Sequence, residues 1–203
     1  RMVQCEQEVE QLRPAHGNPF RVQCIEALPY LADDLHWPDL LARLERTKGR
    51  GAIIGPHGCG KTTLLHELGA RLADDGYRIT HLFLNDRQRQ FENGARPLYL
   101  PEDAVLLDGA EQLGFAAWQR FRCKVRGAGR LIITAHHPGR LPTLYRCGSS
   151  LAVLDELLDR LVPEAVERWR PEAHRLFAAH HGNLRAVFFA LYDCWATGGR
   201  REP

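Results

Sequence analysis

The residues best placed to do chemistry lie in one run, Gly55-Pro56-His57-Gly58-Cys59-Gly60-Lys61-Thr62-Thr63. Its spacing, Gly-x-x-x-x-Gly-Lys-Thr, is the phosphate-binding Walker A pattern. Glycines let the backbone take positive φ and come close to phosphate oxygens. Successive N–H groups then form an anion nest at a helix N-terminus, where the helix dipole adds to the attraction. Lys61 is expected to reach the β- and γ-phosphates, and the Thr62 hydroxyl to ligate Mg2+. His57 and Cys59 fill variable positions at which only the backbone amide is needed. Cys59 also sits at a helix N-terminus beside Lys61, a setting that lowers a thiol pKa and favours oxidation.

A bound nucleotide needs a second acidic strand. Ala104-Val105-Leu106-Leu107-Asp108 is an apolar run ending in a carboxylate, and Asp108 would hold the Mg2+ through its water shell. Gly109 follows it. The nearest carboxylate that can polarise a water is Glu111, which would otherwise serve only to open the next helix, where an acid suits the dipole. A third run, Leu131-Ile132-Ile133-Thr134, leads into Ala135-His136-His137. Polar groups at its tip would lie between the first two strands, so Thr134 or His136 would contact the γ-phosphate or the water. Adjacent histidines rarely converge on one metal, and no third ligand has suitable spacing.

These residues need a scaffold that brings distant strand ends together. Ala52-Ile53-Ile54 reads as a buried parallel strand. Leu64, Leu65, Leu68 and Leu72 recur at helical spacing, and Asp74-Asp75-Gly76 ends that helix. Strands are expected at 51–54, 79–84, 104–108, 131–134 and near 150–154. Their alternation with helices predicts a three-layer α/β/α P-loop fold with a five-stranded parallel sheet. From about 155 the pattern is helical throughout. Leu157, Leu158 and Leu161 form one stripe, and Pro163 and Pro171 read as helix starts. A third helix after Gly182 carries Leu184, Val187, Phe188, Leu191 and Tyr192. The expected organisation is an N-terminal arm and lead-in segment over 1–50, a core over 51–154 and an all-helical lid over 155–203.

The chain has 203 residues, 44% hydrophobic and 26% charged, a globular balance. Its 27 basic residues comprise only three lysines, Lys48, Lys61 and Lys124, the other 24 being arginine. No apolar run reaches the roughly 18 residues of a membrane span, and residues 1–11 lack the apolar stretch of a secretory signal. Six cysteines without CxxC spacing read as reduced thiols, hence a cytoplasmic setting. Asp86-Arg-Gln-Arg-Gln-Phe91 and the run containing Arg120, Arg122, Lys124, Arg126 and Arg130 are locally basic. They would suit DNA phosphates or an acidic partner, but Glu102, Asp103 and Glu111 dilute the charge. A net charge of +2 does not favour a nucleic-acid partner.

The order of these motifs resembles the AAA+ and STAND branches of P-loop ATPases. Asp108-Gly-Ala-Glu111 is similar to the NACHT-like variant of Walker B. Asn18-Pro19-Phe20-Arg21 resembles the lead-in segment of ExeA- and ORC-type AAA+ proteins, which packs near the adenine. Gly182-Asn183-Leu184-Arg185 looks like the sensor 2 motif of an AAA+ lid, which would make Arg185 a γ-phosphate contact. The resemblance spans most of 18–197 and implies ATP and Mg2+ as ligands. Gly109 departs from it, standing where a catalytic glutamate is usual. The short 85–125 region leaves little room for unfoldase pore loops. Arg140 and Arg146 are the candidates for an arginine finger. The expected activity is slow Mg2+-dependent ATP hydrolysis by a switch that engages a protein partner, with an ATP-dependent homo-oligomer as a further expectation. A small P-loop kinase of a nucleotide or metabolite and a non-hydrolysing ATP-binding scaffold are the alternatives.

Overall fold

The computed structural model describes residues 17–32, 34–84 and 98–198. These form two compact units, one over Pro29–Ser150 and one combining the N-terminal residues to Leu28 with the chain from Leu151.

The first unit holds five parallel strands, β1 (Arg50–Ile54), β2 (Arg78–Phe83), β3 (Asp103–Asp108), β4 (Arg130–Ala135) and β5 (Thr143–Arg146). Their spatial order is β2-β3-β4-β1-β5. Period-two alternation sorts the strand residues between two helical layers. Ile53, Leu106, Ile132 and Leu144 pack with Leu40 and Leu44 of α2 (Trp37–Arg46) and Leu64, Leu65, Leu68 and Leu72 of α3 (Lys61–Asp74). On the other face, Ile54, Val105, Leu107, Leu131 and Ile133 meet Trp118 and Phe121 of α4 (Phe115–Lys124). β3 is buried along its whole length, whereas the edge strand β2 is half-exposed. The unit is thus the expected three-layer α/β/α sandwich.

The fifth strand differs from expectation. It occupies 143–146, whereas 151–161 is helix α5 (Leu151–Leu161). Val153, Leu154, Leu157 and Leu158 are its buried residues, so the apolar run near 150–154 belongs to the helical stripe that follows it. Strand β5 has a single fully buried side chain, Leu144, too little apolar character to stand out in sequence.

Among the described residues the second unit is all-helical: α1 (Val22–Glu26), α5, α6 (Val166–Ala179) and α7 (Leu184–Ala196). Pro171 lies inside α6, not at its start. The turn beginning at Pro163 leads into this helix instead. The lead-in segment is built into this unit. Phe20 packs edge-on against Trp169, with ring centroids 5.1 Å apart, and stacks on Phe188 at 6.5 Å. Asn18 is buried, caps the amide of Phe20 and donates to the Tyr192 carbonyl at 3.0 Å. The compact units therefore divide near 28 and 150, and α2 falls with the sheet that it covers. No helix among the described residues is long and apolar enough to cross a membrane. Residues 1–16 of the expected N-terminal arm, which runs over 1–17, and the basic segment 86–91 lie outside the described residues.

Candidate functional site

The strand order brings the chemistry together. Parallel strands present their C-terminal ends on one edge, where ligands of open α/β sheets bind. Here β4 separates β1 from β3, so Thr134 and His136 emerge between the glycine-rich loop and Asp108. The register aligns Leu107 with Ile133 and Ile54 with Ala135, which sets Asp108 beside Thr134.

The loop after β1 ends at Gly60, which has φ +85° and caps α3. A side chain at Gly60 would also stand 2.9 Å from the Tyr30 ring. Lys61 opens the helix and turns back over the loop, its Nζ donating to the Gly55 carbonyl at 2.9 Å and the Pro56 carbonyl at 2.6 Å. Those bonds hold the ammonium at the nest rather than in bulk water. Cys59 is buried beneath the loop and donates to the Pro56 carbonyl at 3.1 Å. His57 is exposed, and Thr63 is half-buried on the first turn of α3.

Thr62 and Asp108 meet across the sheet edge. The Thr62 hydroxyl donates to Asp108 Oδ2 at 2.7 Å. The other carboxylate oxygen, Oδ1, accepts from Thr134. Thr134 is buried, and its hydroxyl also accepts the Gly109 amide at 2.9 Å. Its donor and one acceptor position are thus committed to holding Asp108 and the backbone after it. Two hard oxygen donors from Thr62 and Asp108, side by side next to a lysine-bearing nest, fit a Mg2+-bound triphosphate.

Gly109 takes φ +84°, and a side-chain carbon there would lie 2.3 Å from the Leu84 carbonyl oxygen. Glutamate is therefore sterically barred from the position directly after Asp108. Glu111, in a 3-10 turn over Ala110–Gln112, supplies the nearest carboxylate. Its Oε1 faces His136 Nε2 at 3.4 Å, and its Oε2 is buried without a hydrogen-bond partner. The His136 ring also lies against His57, with centroids 3.9 Å apart. Burial lowers the His136 pKa. Glu111 opposes that shift, while His57, Lys61 and His137 add to it. His136 is consequently held neutral at pH 7, with one nitrogen available to accept a proton.

The structure thus gathers Lys61, Thr62, Asp108, Thr134, Glu111 and His136 at one sheet edge. Arg185 stands on α7 of the helical unit, exposed, just after Asn183, whose side chain accepts the Ala186 amide at 3.1 Å. Of the arginine-finger candidates, Arg140 donates to the Leu113 carbonyl and lies over the Trp118 ring. Arg146 is exposed at the end of β5. Among the described residues no cluster of three or more His, Cys, Asp or Glu is placed to hold a metal. Sequence spacing gave no sign of Tyr30 or Cys147 beneath the loop. The Thr134–Asp108 contact was recoverable in principle, because the expected strand order puts those two ends side by side.

No protein-family model matches the chain, and no curated protein does. A solved RuvB variant from Thermotoga maritima is similar over 85% of this chain and 73% of its own, with 14% identity and a TM-score of 0.45.

Proposed function

We propose that this chain binds ATP with Mg2+ at the glycine-rich loop and hydrolyses it slowly, as a nucleotide-controlled switch of AAA+ type acting on a partner protein. The observation that carries the proposal is the Thr62–Asp108 hydrogen bond at 2.7 Å. It joins the first turn of α3 to the end of β3, which supports reading these two oxygens as ligands of one cation beside Lys61. Mg2+ supplies charge neutralisation at the phosphates when bound. The loop amides and Lys61 hold the phosphates, and Thr134 keeps Asp108 oriented. Glu111 and the neutral His136 orient a water and accept its proton. A cytoplasmic setting and an ATP-dependent homo-oligomer are part of the same proposal. DNA binding is not.

The non-hydrolysing scaffold is the second reading, and Gly109 favours it: the usual place for a catalytic glutamate is sterically closed. Phosphate release by the purified protein, compared with Lys61→Ala and Glu111→Gln, separates the two. Slow hydrolysis predicts release that Lys61→Ala abolishes and Glu111→Gln reduces at least tenfold. Tight ATP binding with no release in any variant selects the scaffold, and release equal in wild type and Lys61→Ala rejects the site.

A further inference from the structure

Two cysteines far apart in sequence meet under the phosphate loop. Cys59 belongs to the loop. Cys147 follows β5, and its amide donates to the Ile54 carbonyl at 2.7 Å, extending the β1–β5 pairing toward the loop. Both side chains are buried, 2% and 4% exposed, in a cluster that includes Tyr30. They converge at Gly55. A side-chain carbon on that residue would stand 2.8 Å from Cys59 Sγ and 3.2 Å from Cys147 Cβ. Glycine at position 55 thus leaves open the space in which the two side chains meet. The neighbouring Cys147 side chain, with help from Lys61 and against burial, lowers the Cys59 pKa, while the Cys59 side chain and burial raise that of Cys147. The pair is therefore asymmetric, with the nucleophilic sulfur on the loop.

The geometry points to Cys59 and Cys147 as a redox-sensitive pair that closes an intramolecular disulfide and disables the phosphate loop. The oxidant is hydrogen peroxide, small enough to reach a buried sulfur. The Cys59 thiolate attacks one peroxide oxygen, the O–O bond breaks, and the departing hydroxide takes a proton to become water. Cys147 then attacks the sulfur of the Cys59 sulfenic acid. An S–S bond forms, and the sulfenic oxygen leaves as a second water carrying the Cys147 proton. In balance, two thiols are oxidised to one disulfide and one peroxide is reduced to two waters. The first step also removes the Cys59 anion that had helped to keep the Cys147 proton in place. A covalent S–S bond is shorter than any thiol–thiol contact, so closure draws Cys59 toward the end of β5 and its amide out of the nest. The loss of nucleotide affinity rests on the proposed function; the disulfide itself does not.

The test treats the full chain with hydrogen peroxide, blocks the remaining thiols, maps the peptides and titrates a fluorescent ATP analogue with Mg2+. The expected result is a Cys59–Cys147 linked peptide pair, with affinity at least tenfold weaker and restored by dithiothreitol. In Cys147→Ala the link is absent, and the reductant-reversible loss of affinity goes with it. Peptide mapping of the wild type decides the pairing even if that variant fails to fold. Thiols that stay free, bonds that join other cysteines, or a Cys59–Cys147 link with unchanged affinity each overturn the proposal. A reduced protein that binds no nucleotide overturns the proposed function instead, and the mapped bond then decides whether the pair exists.

Discussion

At the scale of single residues, the site depends on groups that hold other groups in place. Thr134 is the clearest case. Its hydroxyl holds Asp108 and receives the Gly109 amide. Thr134→Val keeps the shape but leaves that buried amide unpaired, at an expected cost of about 1–3 kcal/mol in urea unfolding. Mg2+-dependent nucleotide affinity should fall with it. Affinity and stability both unchanged would remove Thr134 from the site. Gly109 makes the opposite point. Gly109→Ala should cost about 1–2 kcal/mol for the left-handed backbone alone, with more from the contact with the Leu84 carbonyl. Gly109→Glu should therefore lower stability without raising phosphate release. Histidine adds a pH dependence. Burial holds the folded His136 pKa below its ordinary value near 6.5. The neutral form is thus favoured by folding, and its contribution is complete above pH 6.5 and is lost as pH falls through the folded value. Melting temperature should drop between pH 7.5 and pH 5.5 by more in wild type than in His136→Gln. The lysine-poor composition also acquires meaning at this scale. A compact ammonium suits a phosphate nest better than a planar guanidinium, and Lys61 occupies that nest.

At the scale of elements, β1 is the hinge of the arrangement, paired with β4 on one side and β5 on the other. Gly51 makes this possible. A side-chain carbon there would lie 2.1 Å from Leu144 Cγ, so Gly51→Ala should force β5 outward and cost about 1–3 kcal/mol. Trimming the obstacle with Leu144→Ala should recover part of that loss, giving a double-mutant coupling rather than simple addition. Purely additive losses in denaturant titrations would show that the two side chains do not compete for one space. The elements legible in sequence were those with strong periodicity. β1, β3 and β4 each carry an unbroken apolar run, at 52–54, 104–107 and 131–133, and α3 and α7 carry clean stripes. β5 was misplaced because Leu144 alone is fully buried in it, while 151–154 offered an apolar run that belongs to α5. Pro171 misled in the same way, since a proline early in α6 looks like a helix start. In the candidate site, the loop, Asp108 and Glu111 were legible because contiguous motifs announce them. Tyr30 and Cys147 were not. Their proximity to the loop arises from packing between elements distant in the chain, and no local spacing encodes it.

At the scale of the whole molecule, the chain passes out of the helical unit after Leu28 and re-enters it at Leu151. The stability of that unit therefore depends on residues from both ends of the described chain. Phe20→Ala removes the ring that packs on Trp169 and Phe188, and should cost about 3–5 kcal/mol, read as early loss of helical circular dichroism on heating. An unchanged melting profile would mean that Phe20 is not part of that core. The sheet unit carries Lys61, Thr62, Asp108 and Glu111, so the central claim is that this unit binds a Mg2+-nucleotide through those side chains. Isothermal titration of ATP with and without Mg2+ tests it most directly, on reduced wild type, Lys61→Ala and Asp108→Asn. The account predicts saturable one-to-one binding in wild type, at least tenfold weaker in Lys61→Ala, with the Mg2+ dependence lost in Asp108→Asn. Equal affinity in all three proteins, or no binding by folded wild type, would contradict it.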